Sequence, residues 1–134
     1  MDNVYGNVIY RYTRKDALND GVLVNVTDMA AEAGFKLPVA ITASVSALIS
    51  NIPEQCKNQD YNGRLWDVLW MAAYNGDKRK DSTLVYTLIL PHEKTITTDK
   101  GDKQKFCRFA KLKLHIGPGD KGEPVITIML PDED

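Results

Sequence analysis

Phe106-Cys107-Arg108-Phe109-Ala110-Lys111-Leu112-Lys113-Leu114-His115-Ile116 is the stretch that decides the fold class. Its side chains alternate. Ala110, Leu112, Leu114 and Ile116 share one face, and Phe109, Lys111, Lys113 and His115 share the other. That is a strand with one face on a core. Thr83 to Leu90 repeats the pattern, with Leu84, Tyr86, Leu88 and Leu90 on one face. Val125 to Leu130 reads as a third strand. The segment Gly117-Pro118-Gly119-Asp120-Lys121-Gly122 is a hairpin signal that calls for positive φ at one or more glycines. Pro91 to Lys105 is long and polar and reads as a loop. An antiparallel meander is therefore expected in the C-terminal half.

The N-terminal half changes period. Thr13 can cap a short helix, with Asp16 in its first turn, and Asn19-Asp20-Gly21 stops it. Val22 to Val26 reads as a short strand. Thr27 and Asp28 open a second short helix through Ala33, ended by Gly34, onto which Phe35 and Leu37 can pack; Pro38 bars its continuation. Thr42 can cap a third helix with Val45, Leu48, Ile49 and Ile52 inward, closed by Pro53. Glu54 to Asn62 is polar and reads as a loop. Gly63 to Tyr74 is the main helix. Leu65, Val68, Leu69 and Ala72 form one stripe, and Trp66, Trp70 and Tyr74 form a second. Two apolar stripes predict cover on more than one side. Leu65, Trp66, Leu69 and Trp70 are the expected core, with both tryptophans buried at a helix–sheet seam. The expectation is one α+β domain over residues 1–134, its helices packed on one face of the meander.

Composition bounds the rest. A chain of 134 residues with 43% hydrophobic side chains can bury a core without staples. No apolar run approaches the ~20 residues of a membrane helix. Met1 to Tyr10 lacks the basic start and apolar core of a secretory signal, and there are only two cysteines, Cys56 and Cys107. A cytoplasmic protein with reduced thiols is expected. The net charge of -1 hides an asymmetry: residues 1–75 balance to -2, 76–115 to +5 and 116–134 to -4. The basic region 76–115 can attract a polyanion or be neutralised by the neighbouring acidic tail.

Catalytic chemistry finds little to stand on. Cys56, His92, Cys107 and His115 lack the close pairing of zinc ligands, and Cys107 and His115 lie ~26 Å apart along one strand, so no metal or cofactor is expected. Lys57 adjoins Cys56, but no histidine is local to form a nucleophile–base pair. Asp28 and Glu32, spaced for a general acid and base, are explained as first-turn and solvent-face charges. The glycine-rich loop leads into a strand, whereas a phosphate cradle leads into a helix N-terminus. Arg64 and Asp67, three apart in an apolar helix, form a local ion pair or reach a buried polar group. Phe109 among Lys111, Lys113 and His115 has the make-up of a single-strand nucleic-acid platform; a solvated strand face has the same make-up.

Three segments carry a resemblance. Tyr12-Thr13-Arg14 through Asp20-Gly21-Val22-Leu23-Val24 and Ala33-Gly34-Phe35-Lys36 resembles the opening of a family of small bacterial proteins of unknown function. Gly63-Arg64-Leu65-Trp66-Asp67-Val68-Leu69-Trp70-Met71 resembles its central signature. Gly117-Pro118-Gly119-Asp120 with Gly122-Glu123-Pro124-Val125-Ile126-Thr127-Ile128-Met129-Leu130-Pro131 resembles its ending. Members are often encoded beside plasmid or phage genes. The resemblance implies one complete domain in a bacterial cytoplasm and brings no activity with it. The expected function is a non-catalytic accessory module acting on a protein partner, with nucleic-acid binding through 76–115 as the alternative.

Overall fold

The computed structural model describes residues 11–76 and 81–134. The reading of Met1 to Tyr10, and Lys78, Arg79 and Lys80 of the basic region, lie outside the described residues.

Local signals set the first elements. Helix α1 (Arg14–Asp20) opens with a capping box: Thr13 Oγ1 accepts from the Asp16 N–H at 3.0 Å, and Asp16 accepts from the Thr13 N–H at 3.1 Å. Strand β1 (Leu23–Asn25) and helix α2 (Thr27–Glu32) follow. Thr27 does not cap α2; its hydroxyl bonds Asn25 and the Val39 backbone instead. Strand β2 (Val39–Thr42) runs into helix α3 (Ala43–Ser50), capped by Thr42 accepting from the Val45 N–H at 3.2 Å. A turn of 3₁₀ helix (Glu54–Cys56) precedes the main helix α4 (Tyr61–Gly76). Strands β3 (Thr83–Thr98), β4 (Gly101–Pro118) and β5 (Pro124–Met129) complete the chain.

The five strands form one mixed sheet in the order β1-β2-β5-β4-β3. Strands β3, β4 and β5 are the antiparallel meander, β1 pairs antiparallel with β2, and β2 joins β5 in parallel. The architecture is α+β, as expected. Strand β2 lies where the sequence reads as the lead-in to a helix. Val39, Ala40 and Ile41 are all buried, so they show no alternation.

A larger correction concerns Pro91 to Lys105, which is ribbon rather than loop. Strands β3 and β4 stay paired down to Thr98 opposite Gly101, after a bulge between Ile89 and His92 that accommodates Pro91. The segment is polar on both sides, so no apolar alternation marks it. The β-branched run Thr95-Ile96-Thr97-Thr98 supplies the strand preference, and Gly101 at φ 107° makes the tight turn. The Gly117–Gly122 segment is the hairpin connection expected, with Gly122 at φ 80°.

The core lies between one sheet face and α2, α3 and α4. Val45, Ile49, Val68, Leu69 and Ala72 meet Ile41, Leu88, Leu112, Leu114 and Ile128. Tyr86 is buried there and its hydroxyl donates to the Val68 carbonyl at 3.1 Å; burial raises its pKa. Tyr86→Phe removes that bond without a cavity, so a loss of about 1 kcal/mol is expected in urea denaturation. Helix α1 departs from the expected one-sided packing. Its Arg14 guanidinium donates to Thr127 Oγ1 (2.7 Å) and the Ile126 carbonyl (2.8 Å), and Thr127 faces away from the core.

Arg64 holds α4 to α3. It is 2% exposed. Its guanidinium donates to the carbonyls of Ile49 (2.7 Å), Leu48 (3.2 Å) and Asn51 (3.2 Å) and to Gln59 Oε1 (2.7 Å). Leu48 and Ile49 belong to the last turn of α3 and Asn51 is its C-cap. The guanidinium thus serves carbonyls left over at a helix end, Leu48 sharing its own with the Asn51 N–H. Of the two readings of Arg64 and Asp67, the buried polar group is the one realised.

The glycine loop fastens α1. Asp120 accepts from the backbone N–H groups of Arg14 (2.7 Å) and Lys15 (3.0 Å), which hold its carboxyl below the ordinary value of 3.8. A lowered folded pKa means stabilisation present above 3.8 and lost as pH falls through the folded value. Protection of the Arg14 and Lys15 amides from exchange, taken relative to the intrinsic rate at each pH, should therefore fall in acid, and Asp120→Asn should abolish that dependence.

Candidate functional site

Two surfaces stand out. The first is the outer side of α4. Leu65 and Leu69 are buried as expected, but Trp66 and Trp70 are not: they are 36% and 51% exposed. The i, i+3, i+4 stripe takes the sheet, and no layer of the described residues covers the other stripe. The two indoles stack at 6.4 Å between centroids and 16° between planes, and exposed Tyr74 continues the row. Beside them, a cleft of about 330 Å³ is formed by Asp67, Trp70 and Met71 of α4 with Thr87, Leu88, Ile89 and Phe109. Partial desolvation raises the Asp67 pKa, and nearby Arg64 opposes the shift.

Strand β3 is the sheet edge on this side. From Thr83 to Leu90 it carries no charge, and Val85 and Ile89 are about half exposed. Solvent-facing edges usually carry lysine or proline that blocks pairing. The second stripe was visible in the sequence; its exposure was not, because that depends on how many layers the fold has.

The second surface is the sheet face turned away from the core. Phe109 is 57% exposed there, and Lys111 is exposed. Lys113 and His115 are half-buried and engaged: Lys113 Nζ donates to the Glu133 carbonyl at 2.5 Å, and His115 Nδ1 lies 3.1 Å from Thr83 Oγ1. The structure thus keeps Phe109 and Lys111 on the open part and gives Lys113 to the acidic tail.

The remaining candidates stay apart. Register sets His92 opposite Cys107, but no group of three His, Cys, Asp or Glu among the described residues is placed to hold a metal ion. Both cysteines are free thiols. No helix among the described residues is long and apolar enough to cross a membrane.

The fold and its surfaces define a small α+β domain with an exposed aromatic helix ridge and an exposed basic sheet face. The chain belongs to the family of unknown function DUF6573, whose model matches residues 1–134. No curated protein and no solved structure matches it.

Proposed function

We propose that this chain is a cytoplasmic, non-catalytic accessory module of a bacterial mobile element that works by binding a protein partner through the outer side of α4 and the adjoining β3 edge. One observation carries the reading: two stacked tryptophans are held on the surface by a helix whose other side is locked into the core. Tryptophan dominates the energetic centres of protein interfaces, and exposing two together is costly for an unpartnered surface. The uncharged β3 edge supports the same reading, since it offers backbone donors and acceptors to an added strand. The genomic setting rests on the resemblance of the three quoted segments.

The test is affinity capture from a bacterial host of wild type and a Trp66→Ser, Trp70→Ser variant. The expected result is a protein retained at near-equal ratio by wild type and lost with the variant, while both chains melt alike. Retention of the same proteins by both would contradict the assignment.

A further inference from the structure

We propose that the open face of the β3–β4 ribbon binds single-stranded nucleic acid, with phosphates on its lysines and a base on Phe109. The site meets the α4 cleft at Phe109 and Ile89, while Lys94, Lys103, Lys105 and Lys111 lie outside that cleft. Register gives the first argument. The bulge inserts its extra residue in β3, so β4 keeps its alternation, and Lys103, Lys105, Phe109 and Lys111 all point to one face. Lys94 of β3 stands opposite Lys105 on that face. Among the paired residues of the two strands the face carries no Asp or Glu; Glu93 and Asp102 lie on the reverse, and Asp99 is in the turn.

The two faces of the ribbon also differ in how they are satisfied. On the reverse, Thr97 bonds Asp102 (3.0 Å) and Gln104 bonds Thr95 (2.9 Å) across the strands. On the open face Lys94 meets Lys105, a like-charge pair that opposes ribbon formation. Among the described residues none of Lys94, Lys103, Lys105 and Lys111 forms an ion pair. The ribbon also stands free. Strand β5 reaches only as far as Lys113, and from Lys94 to Lys105 every residue but Thr98 is exposed. An isolated two-stranded ribbon is marginal in water, and one with opposed lysines is weaker still. A polyanion removes that repulsion.

The choice of a single strand follows from Phe109. It is 57% exposed between Lys105 and Lys111, with the Arg108 guanidinium 6.0 Å from its ring centre and half-exposed Ile89 opposite. A flat ring among lysines stacks on an unpaired base, and a duplex presents none to it. From Lys103 to Lys111 the strip is ~26 Å long, enough for several nucleotides. The face holds no side chain that reads base edges in a paired geometry, so binding should be indifferent to sequence.

The test is fluorescence anisotropy at two salt concentrations with labelled single-stranded DNA and RNA of one sequence and the matching DNA duplex. Each lysine–phosphate contact contributes about -0.7 to the slope of log affinity against log salt. Wild type should bind both single strands more tightly than the duplex. Lys103→Gln with Lys105→Gln should flatten the slope by about 1.4. Phe109→Ala should weaken binding roughly tenfold at either salt concentration. Lys94→Gln should weaken binding yet melt no lower than wild type, since it removes the opposed charge. No binding by wild type, a duplex bound as tightly as the single strand, or variants that bind like wild type would each overturn the proposal.

Discussion

Replacing Arg64 by methionine is expected to destabilise the domain by about 3 kcal/mol or more, a large share of a small domain's ~5–15 kcal/mol. Methionine keeps the apolar stem and discards the four hydrogen bonds of the guanidinium. The carbonyls of Ile49 and of the C-cap Asn51 then lose the guanidinium, Leu48 keeping the Asn51 N–H, and each buried orphan costs about 1–3 kcal/mol unless water reaches it. Burial lowers the guanidinium pKa while Cys56 and Asp67 oppose the shift, and an arginine so placed stays charged at neutral pH. Lysine is not a substitute. One ammonium lacks the planar fork that spans acceptors on both sides, so Arg64→Lys should also be destabilised. Urea midpoints within about 0.5 kcal/mol of wild type for Arg64→Met would show the contact to be incidental.

The second large effect separates two adjacent residues. Leu69→Ala should cost about 2–5 kcal/mol, because Leu69 is wholly buried and its removal leaves a cavity among Val68, Ala72 and the sheet. Trp70→Ala, one residue along, should cost under about 1 kcal/mol, since half of the indole is already in water and it stacks on the exposed Trp66 ring. The larger side chain therefore matters less to folding. A Trp70→Ala loss on the Leu69 scale would place the second stripe in the core and remove the basis for the binding surface.

Short-range physics made much of the fold legible. Thr13 and Thr42 cap helices as read, and Leu84 to Leu90 and Ala110 to Ile116 face the core as their alternation required. Strand β2 was hidden because its neighbours β1 and β5 and the layers on both faces bury every residue from Val39 to Ile41. The ribbon was hidden for the opposite reason: neither of its faces is apolar. Its charge sorting emerges only when the bulge sets which β3 residue stands opposite each lysine of β4. Arg64 was visible as an oddity in an apolar helix, but its acceptors come from the end of another helix. The tryptophan stripe is plain in the sequence, but its place on the surface is not. A stripe of large apolar residues signals burial against something, and a local window does not say whether that partner is in the same chain.

The chain's two tryptophans are both on the α4 ridge, so intrinsic fluorescence reports that surface alone. The most direct test is therefore acrylamide quenching of the native protein, free and with the partner recovered by affinity capture. The account predicts ready quenching in the free protein, approaching that of the urea-unfolded chain, and clear protection with a blue shift on partner binding. Strong protection in the free monomer, or quenching unchanged by a bound partner, would contradict it.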